Sequence, residues 1–180
     1  MNIQETTRQA LSEFFPDEPV SIDPVPDPEP DSEKAEEGGE EQKDTPRGKG
    51  IIVQDYSMKG FHLDAQIDSD QLVRSAEILF NLGYFIESIT GVDWIKEDQL
   101  EVVYDFNRYD FDLCRVAVRI RIPRKNPRLP TITGVYTGAN WHERETHEFF
   151  GIVFDGHPHL IPLLLPEDAD FHPLLKDFKA

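Results

Sequence analysis

From Leu113 to Ile122 the chain alternates: Val116, Val118, Ile120 and Ile122 fall on one side, and Arg115, Ala117, Arg119 and Arg121 on the other. Period-two alternation predicts a half-buried antiparallel strand, with one face in the core and the other wet or against a partner. Ile51 to Val53 and Phe61 to Ile67 are further strand candidates, separated by Ser57 to Gly60. Tyr84 to Thr90 and Leu100 to Phe106 read as strands around the turn-rich Asp93 to Asp98, and Thr131 to Val135 as another after the loop marked by Pro123, Pro127 and Pro130. Leu72, Val73, Ala76, Leu79 and Phe80 recur at helical spacing, with Asp68 or Ser69 able to cap the start and Gly83 placed to end the helix with positive φ. Helix and strand signals mix without a regular βαβ alternation. The expected fold is α+β, a mainly antiparallel sheet with helices packed on one face, followed by an extended apolar C-terminal tail.

Asn140 to Glu143 has the form of a capping box, so a helix is expected from Trp141 to Phe150, stopping at Gly151. The tail from Ile152 to Ala180 holds 12 large apolar residues and four prolines, at 158, 162, 166 and 173. The prolines forbid a long helix and the apolar load forbids a solvated tail, so the segment must wrap its own domain or lie along another subunit.

The formal charge of −17 is uneven. Pro16 to Pro46 holds 12 of the 35 acidic residues and half of the 14 prolines. Such a composition cannot offset the entropy of ordering, so residues 16–50 are expected to be a disordered, self-repelling linker. It joins a short N-terminal helix over residues 1–15, with Ile3, Leu11, Phe14 and Phe15 as its apolar members, to an α+β domain over residues 51–151, with the docking tail over 152–180. No basic stripe exists, which argues against nucleic acid as a partner. The single cysteine, Cys114, excludes a disulfide framework and an iron–sulfur cluster ligated within this chain alone, and its place mid-strand makes it inert. No apolar run approaches the ~20 residues needed to span a bilayer, and no signal-peptide core is seen at the N-terminus. The expectation is a soluble, cytoplasmic chain.

The run His142-Glu143-Arg144-Glu145-Thr146-His147 superficially suggests a zinc protease helix, but its histidines stand at i and i+5, about 140° apart, where the motif needs i and i+4. A metal site drawing on Glu143, His147, His157 and His159 is the rival reading, a stand-alone hydrolase; a non-redox adaptor is another. Paired carboxylates among Glu143, Glu145 and Glu148 offer acid–base chemistry in principle, yet Arg144 lies among them and no nucleophile accompanies them. Ion pairing that fixes the helix to a neighbour is the simpler account. Gly48-Lys49-Gly50 lacks the remaining glycines of a phosphate loop.

The blocks Asn140-Trp141-His142-Glu143-Arg144-Glu145-Thr146-His147-Glu148-Phe149-Phe150-Gly151-Ile152, Gly156-His157-Pro158-His159-Leu160 and Leu163-Leu164-Leu165-Pro166-Glu167-Asp168 resemble the signature of the respiratory complex I 30 kDa subunit family, also called the C subunit of NADH–quinone oxidoreductase. The resemblance extends more weakly upstream through Gly91-Val92-Asp93-Trp94 and Val102-Val103-Tyr104, covering about residues 60 to 180. Glu148 stands where the family usually has Asp, Ile161 and Pro162 where it has basic residues, Phe171 where it has Gly, and Leu175 where it has Arg.

The resemblance implies an accessory subunit of the peripheral arm of a membrane-bound, ion-translocating NADH dehydrogenase (ubiquinone), part of an electron-transport translocase. The alternative is the equivalent subunit of a membrane-bound energy-converting hydrogenase. It implies no cofactor and no catalytic or metal-binding residue in this chain, with iron–sulfur clusters on other subunits. It also implies docking on the large 49 kDa-type subunit and its iron–sulfur neighbours, and contact with the inner membrane only through the complex. The docking residues expected on this basis are Trp141, Glu143, Arg144, Glu145, Gly151, His157, Pro158, Leu163, Leu164, Leu165, Pro166, Glu167 and Asp168. Arg144 is suited to a partner carboxylate, and Glu143 and Glu145 to partner cations. The Arg115, Arg119 and Arg121 face is the other candidate surface.

Overall fold

A computed structural model of the chain describes residues 2–16, 48–108, 110 and 113–179. The expected linker lies almost wholly outside the described residues.

The alternation seen in the sequence becomes a five-stranded sheet in the order β1-β2-β5-β4-β3, from β1 (Gly50–Val53), β2 (Leu63–Gln66), β3 (Phe85–Trp94), β4 (Gln99–Asn107) and β5 (Val116–Pro123). Val116, Val118, Ile120 and Ile122 stand opposite Phe106, Tyr104, Val102 and Leu100, and all eight are buried on one face. The fold is α+β, but the sheet is mixed. β2 runs parallel to β5, while the other three pairings are antiparallel. Four residues of β2 present apolar and polar positions in alternation whichever way a neighbour runs, so the direction is set by the connections between strands.

Helix α3 (Leu72–Asn81) follows a 3₁₀ turn over Ser69–Gln71, where the Gln71 side chain accepts from Asp68 N–H at 2.9 Å, and Gly83 takes φ 81° just beyond its end. Leu72, Ala76 and Leu79 join the core of the sheet. A short helix α2 (Tyr56–Lys59) separates β1 from β2 and ends on Gly60 at φ 77°. The N-terminal helix α1 (Ile3–Leu11) buries Leu11 and inserts Thr7, whose hydroxyl lies 2.8 Å from the buried Tyr84 hydroxyl. Two local expectations are corrected. Cys114 precedes β5 rather than lying within a strand, although it is fully buried and burial pushes its thiol up. The strand expected at Thr131 to Val135 lies earlier, as β6 (Arg128–Pro130), and Thr133 to Val135 form a turn. β6 pairs in parallel with β7 (Val153–Asp155), so the first residues of the supposed tail are part of a sheet.

The reverse face of the large sheet carries charge. Arg119 pairs with Asp64 at 2.8 Å and with Glu101 at 3.6 Å; Arg121 pairs with Glu101 at 3.3 Å and lies over the Trp94 ring at 4.6 Å. Arg115 pairs with Glu87 at 2.7 Å. These arginines are therefore neutralised within the chain.

Candidate docking platform

Helix α4 spans Ala139–Phe150 and begins two residues before Trp141. The expected capping box is absent, because Gly138 holds the N-cap position and Glu143 turns inward. Its side chain is fully buried, where Oε1 accepts from Ile132 N–H at 2.8 Å and Oε2 accepts from the Thr131 hydroxyl. The expectation that Glu143 meets a partner cation is thus corrected: the carboxyl ties α4 to the loop after β6. Burial pushes it up to about 7, against the lowering effect of the Thr131 and Ile132 hydrogen bonds. Thr146, also buried, donates toward the Ile89 carbonyl at 3.3 Å.

The following segment runs along the same helix. Arg144 donates from Nε to the Ile161 carbonyl at 2.9 Å and from Nη2 to the Pro162 carbonyl at 2.8 Å, so this edge of the guanidinium serves the chain's own backbone. One turn on, the buried Glu148 carboxylate accepts from the N–H groups of Leu163, Leu164 and Leu165 at 2.8 to 3.0 Å. Three consecutive backbone donors converging on one carboxylate make an anion cradle filled in cis. Gly151 takes φ 74°, and the His172 ring lies 2.8 Å from where its β-carbon would be. Nδ1 of His172 donates to the Glu148 carbonyl at 2.8 Å. Farther along, the buried Asp93 accepts from Arg124 at 3.0 and 3.1 Å and from Lys176 N–H at 2.8 Å, while Arg124 also holds Asp177.

With the backbone pinned in this way, several apolar side chains face outward. Trp141 is 63 % exposed and Leu164 66 %, with Ile161 beside Arg144's contact and Phe171, Leu174 and Phe178 farther on. Glu145, Pro158, Pro166, Glu167 and Asp168 are exposed, Leu163 and Leu165 half-buried. His157 is held inside: Nε2 donates to the Asn140 carbonyl at 3.3 Å and Nδ1 accepts from His159 N–H at 3.0 Å. Burial lowers its pKa; the Asn140 carbonyl opposes this, and the positive surroundings of Arg144, His147 and His159 lower it further. Nδ1 of His147 is engaged with the Ile152 carbonyl at 2.8 Å. Glu143, His147 and His157 therefore spend polar atoms on the backbone and on hydroxyls, and no metal-holding group of three or more His, Cys, Asp or Glu exists among the described residues. No helix among the described residues is long and apolar enough to cross a membrane.

Sequence reasoning missed Glu148, Asp93, Arg124 and His172 as the elements that position the platform. Glu148 stood in the same charged run as Glu143 and Glu145, and only its burial separates it from Glu145.

The family described as "Respiratory-chain NADH dehydrogenase, 30 Kd subunit" matches residues 65–180. The C subunit of the NADH-quinone oxidoreductase of Roseiflexus sp. is 43% identical over 102 residues, 56% of either chain. The C subunit of the F(420)H(2) dehydrogenase of Methanosarcina mazei is 39% identical over 119 residues, 64% of this chain and 75% of that one. NADH-quinone oxidoreductase subunit 5 of Thermus thermophilus is 34% identical over 143 residues, 73% of this chain and 68% of that one. The chain spans about half the length of the Roseiflexus proteins. Among solved structures, a chain of the archaeal membrane-bound sulfane sulfur reductase, a respiratory membrane complex, aligns with TM-score 0.59 and 29% identity over 65% of this chain and 71% of that one. The trypsin-resistant fragment of Nqo5 aligns with TM-score 0.51 and 30% identity over 58% of this chain and 92% of the fragment. The matched span contains β3, β4 and β5, both α3 and α4, and the whole pinned segment that follows, and the chain belongs to the family of the 30 kDa subunit of the respiratory-chain NADH dehydrogenase.

Proposed function

We propose that this chain is a non-catalytic subunit of the peripheral arm of a complex I-like, ion-translocating NADH–quinone oxidoreductase. It docks on the large 49 kDa-type subunit and beside the iron–sulfur subunits that carry the clusters, and reaches the membrane only through them. The observation that carries this reading is the platform itself: Trp141, Ile161 and Leu164 stay exposed on a backbone already fixed by Arg144 and Glu148. Large apolar side chains on a rigid frame are what an interface anchor needs, because little ordering entropy remains to be lost on binding. The arginine face of the sheet is a poorer candidate, since Asp64, Glu87, Glu97 and Glu101 neutralise it in cis. Relatives named for F(420)H(2) and for NADH support one docking role across complexes with different electron donors.

The test uses side chains that face water. Truncation after Gly156 is a poor probe because Leu160 and Leu175 pack against the core and His172 fills the space at Gly151. Trp141→Ala with Leu164→Gln should leave the melting midpoint of the free chain unchanged and sharply reduce recovery of the large partner in co-purification. Full recovery with the folded double variant would place the interface elsewhere and sink the reading.

A further inference from the structure

Glu143 is fully buried, and among the described residues its nearest basic group is an imidazole, His157 Nε2 at 3.9 Å from Oε2. That imidazole is not available as a counter-charge. Its Nδ1 already accepts a backbone N–H and its Nε2 already donates to a carbonyl, which fixes the neutral tautomer; a proton on Nδ1 would break the bond from His159. From α4 itself Arg144 and His147, and from the segment after β7 His159, act on His157 in the same direction, favouring its neutral form. On the β4 side stands Tyr104, wholly buried, within electrostatic reach of Glu143 and with a hydroxyl that has no hydrogen-bond partner among the described residues. A carboxylate enclosed by neutral groups binds a proton more readily than one in water.

There is also a route for that proton. The Thr131 hydroxyl donates to Glu143 Oε2 and lies 2.9 Å from the Thr133 hydroxyl. Thr131 and Thr133 in turn line an open groove with Thr137, Asn140 and Pro158.

We propose that Glu143 is an internal proton-binding site, loaded from this groove through the Thr133 and Thr131 hydroxyls, and that its protonation tightens the joint between α4 and the Thr131–Thr133 loop. On loading, Thr131 passes its hydroxyl proton to Glu143 Oε2 and takes one from Thr133, which is replenished from the groove. The net change is one proton gained by Glu143. The direction of the hydrogen bond then reverses: Glu143 donates to Thr131, and Thr131 to Thr133. On unloading, a buried negative charge remains, held among the described residues by the Ile132 N–H and the Thr131 hydroxyl, and the joint loosens. Any effect on docking rests on the proposed function, because α4 also carries Trp141 and the pinned segment; the proton site does not.

The experiment is an infrared pH titration of the full free chain, with difference spectra against Glu143→Gln. A protonated-carboxyl band that disappears with a midpoint near 7 and is missing from the Gln variant is the expected result. Thr131→Val should move that midpoint upward, since the lost hydroxyl favoured the ionised form; this shift assigns the band even if the Gln variant fails to fold. A Glu143 carboxyl that titrates in the ordinary range, or stays ionised throughout, overturns the proposal. Co-purification of the large partner at pH values on either side of the midpoint tests the link to docking separately: pH-independent recovery by a chain whose Glu143 does titrate removes the link and leaves the proton site standing.

Discussion

Phe150 closes over Gly91. A β-carbon built on Gly91 would lie 2.5 Å from Cδ2 and 2.6 Å from Cε2 of the Phe150 ring, inside any tolerable contact. Gly91 faces the core from β3, opposite Val102, so the missing side chain is what lets the end of α4 approach the sheet. Gly91→Ala should lift this end of the helix and destabilise the domain by about 1–3 kcal/mol, the usual cost of overpacking. Chemical denaturation measures it, and adding Phe150→Leu should recover part of the loss. An alanine variant as stable as the parent would contradict the close packing.

Glu148 holds three consecutive N–H groups of the pinned segment. Replacement by Ala leaves these donors unpaired, at roughly 1–3 kcal/mol for each group that water does not reach. Hydrogen exchange should show protection lost at Leu163, Leu164 and Leu165 while amides of β4 and β5 keep theirs. Uniform loss across the domain would mean that the carboxylate supports the whole core and not the platform alone.

Asp93 performs the corresponding task at the far end. Asp93→Asn keeps the shape but weakens both the Arg124 pair and the acceptor for Lys176 N–H. The Lys176 amide should exchange faster and susceptibility to C-terminal proteolysis should rise, with a stability loss of about 1.5–3 kcal/mol for hydrogen bonds to a buried charged group. Asp177→Ala, removing an exposed partner of the same arginine, should change little by either measure.

Glu143 gives the stability a pH dependence of definite sign. Its folded value is pushed up to about 7 from an ordinary value of 4.5, so between these values the folded chain holds a proton that the unfolded chain releases. The contribution is fully present below about 4.5 and is lost as pH rises through about 7, of order 3 kcal/mol across the window. Denaturant midpoints taken across this range should fall with pH more steeply for the parent than for Glu143→Gln. Parallel curves would show that the carboxyl is ionised in both states.

Much of the fold was legible because strand and helix periodicity are local properties. The alternation from Val116 to Ile122 separated the apolar core face from the charged reverse face, although Ala117 on that reverse face is itself buried; Leu72 to Phe80 announced α3, and Gly83 and Gly151 marked the points where only positive φ continues the chain. The parallel pairing of β2 with β5 was not legible. Strand direction comes from which connection can be closed, and residues 64 and 117 are neighbours only once the chain is folded.

The candidate site divides along the same line. Family membership and the α+β class follow from the chain itself: the three blocks between Asn140 and Asp168 are short uninterrupted strings in close succession, and residue order alone carries them. The tertiary structure decided which way its charges point. Glu143, Glu145 and Glu148 are the same residue type within six positions of one helix, yet the first is buried under a threonine loop, the second is in water and the third holds the backbone of the following segment. Helix geometry spreads them around the axis, but what each meets is supplied by segments 11 to 17 residues away. Asp93 and Lys176 meet across 83 positions. Such pairings depend on the path of the whole chain, because a hydrogen bond is fixed by distance in space, and spacing in sequence sets that distance only within a single helix or strand.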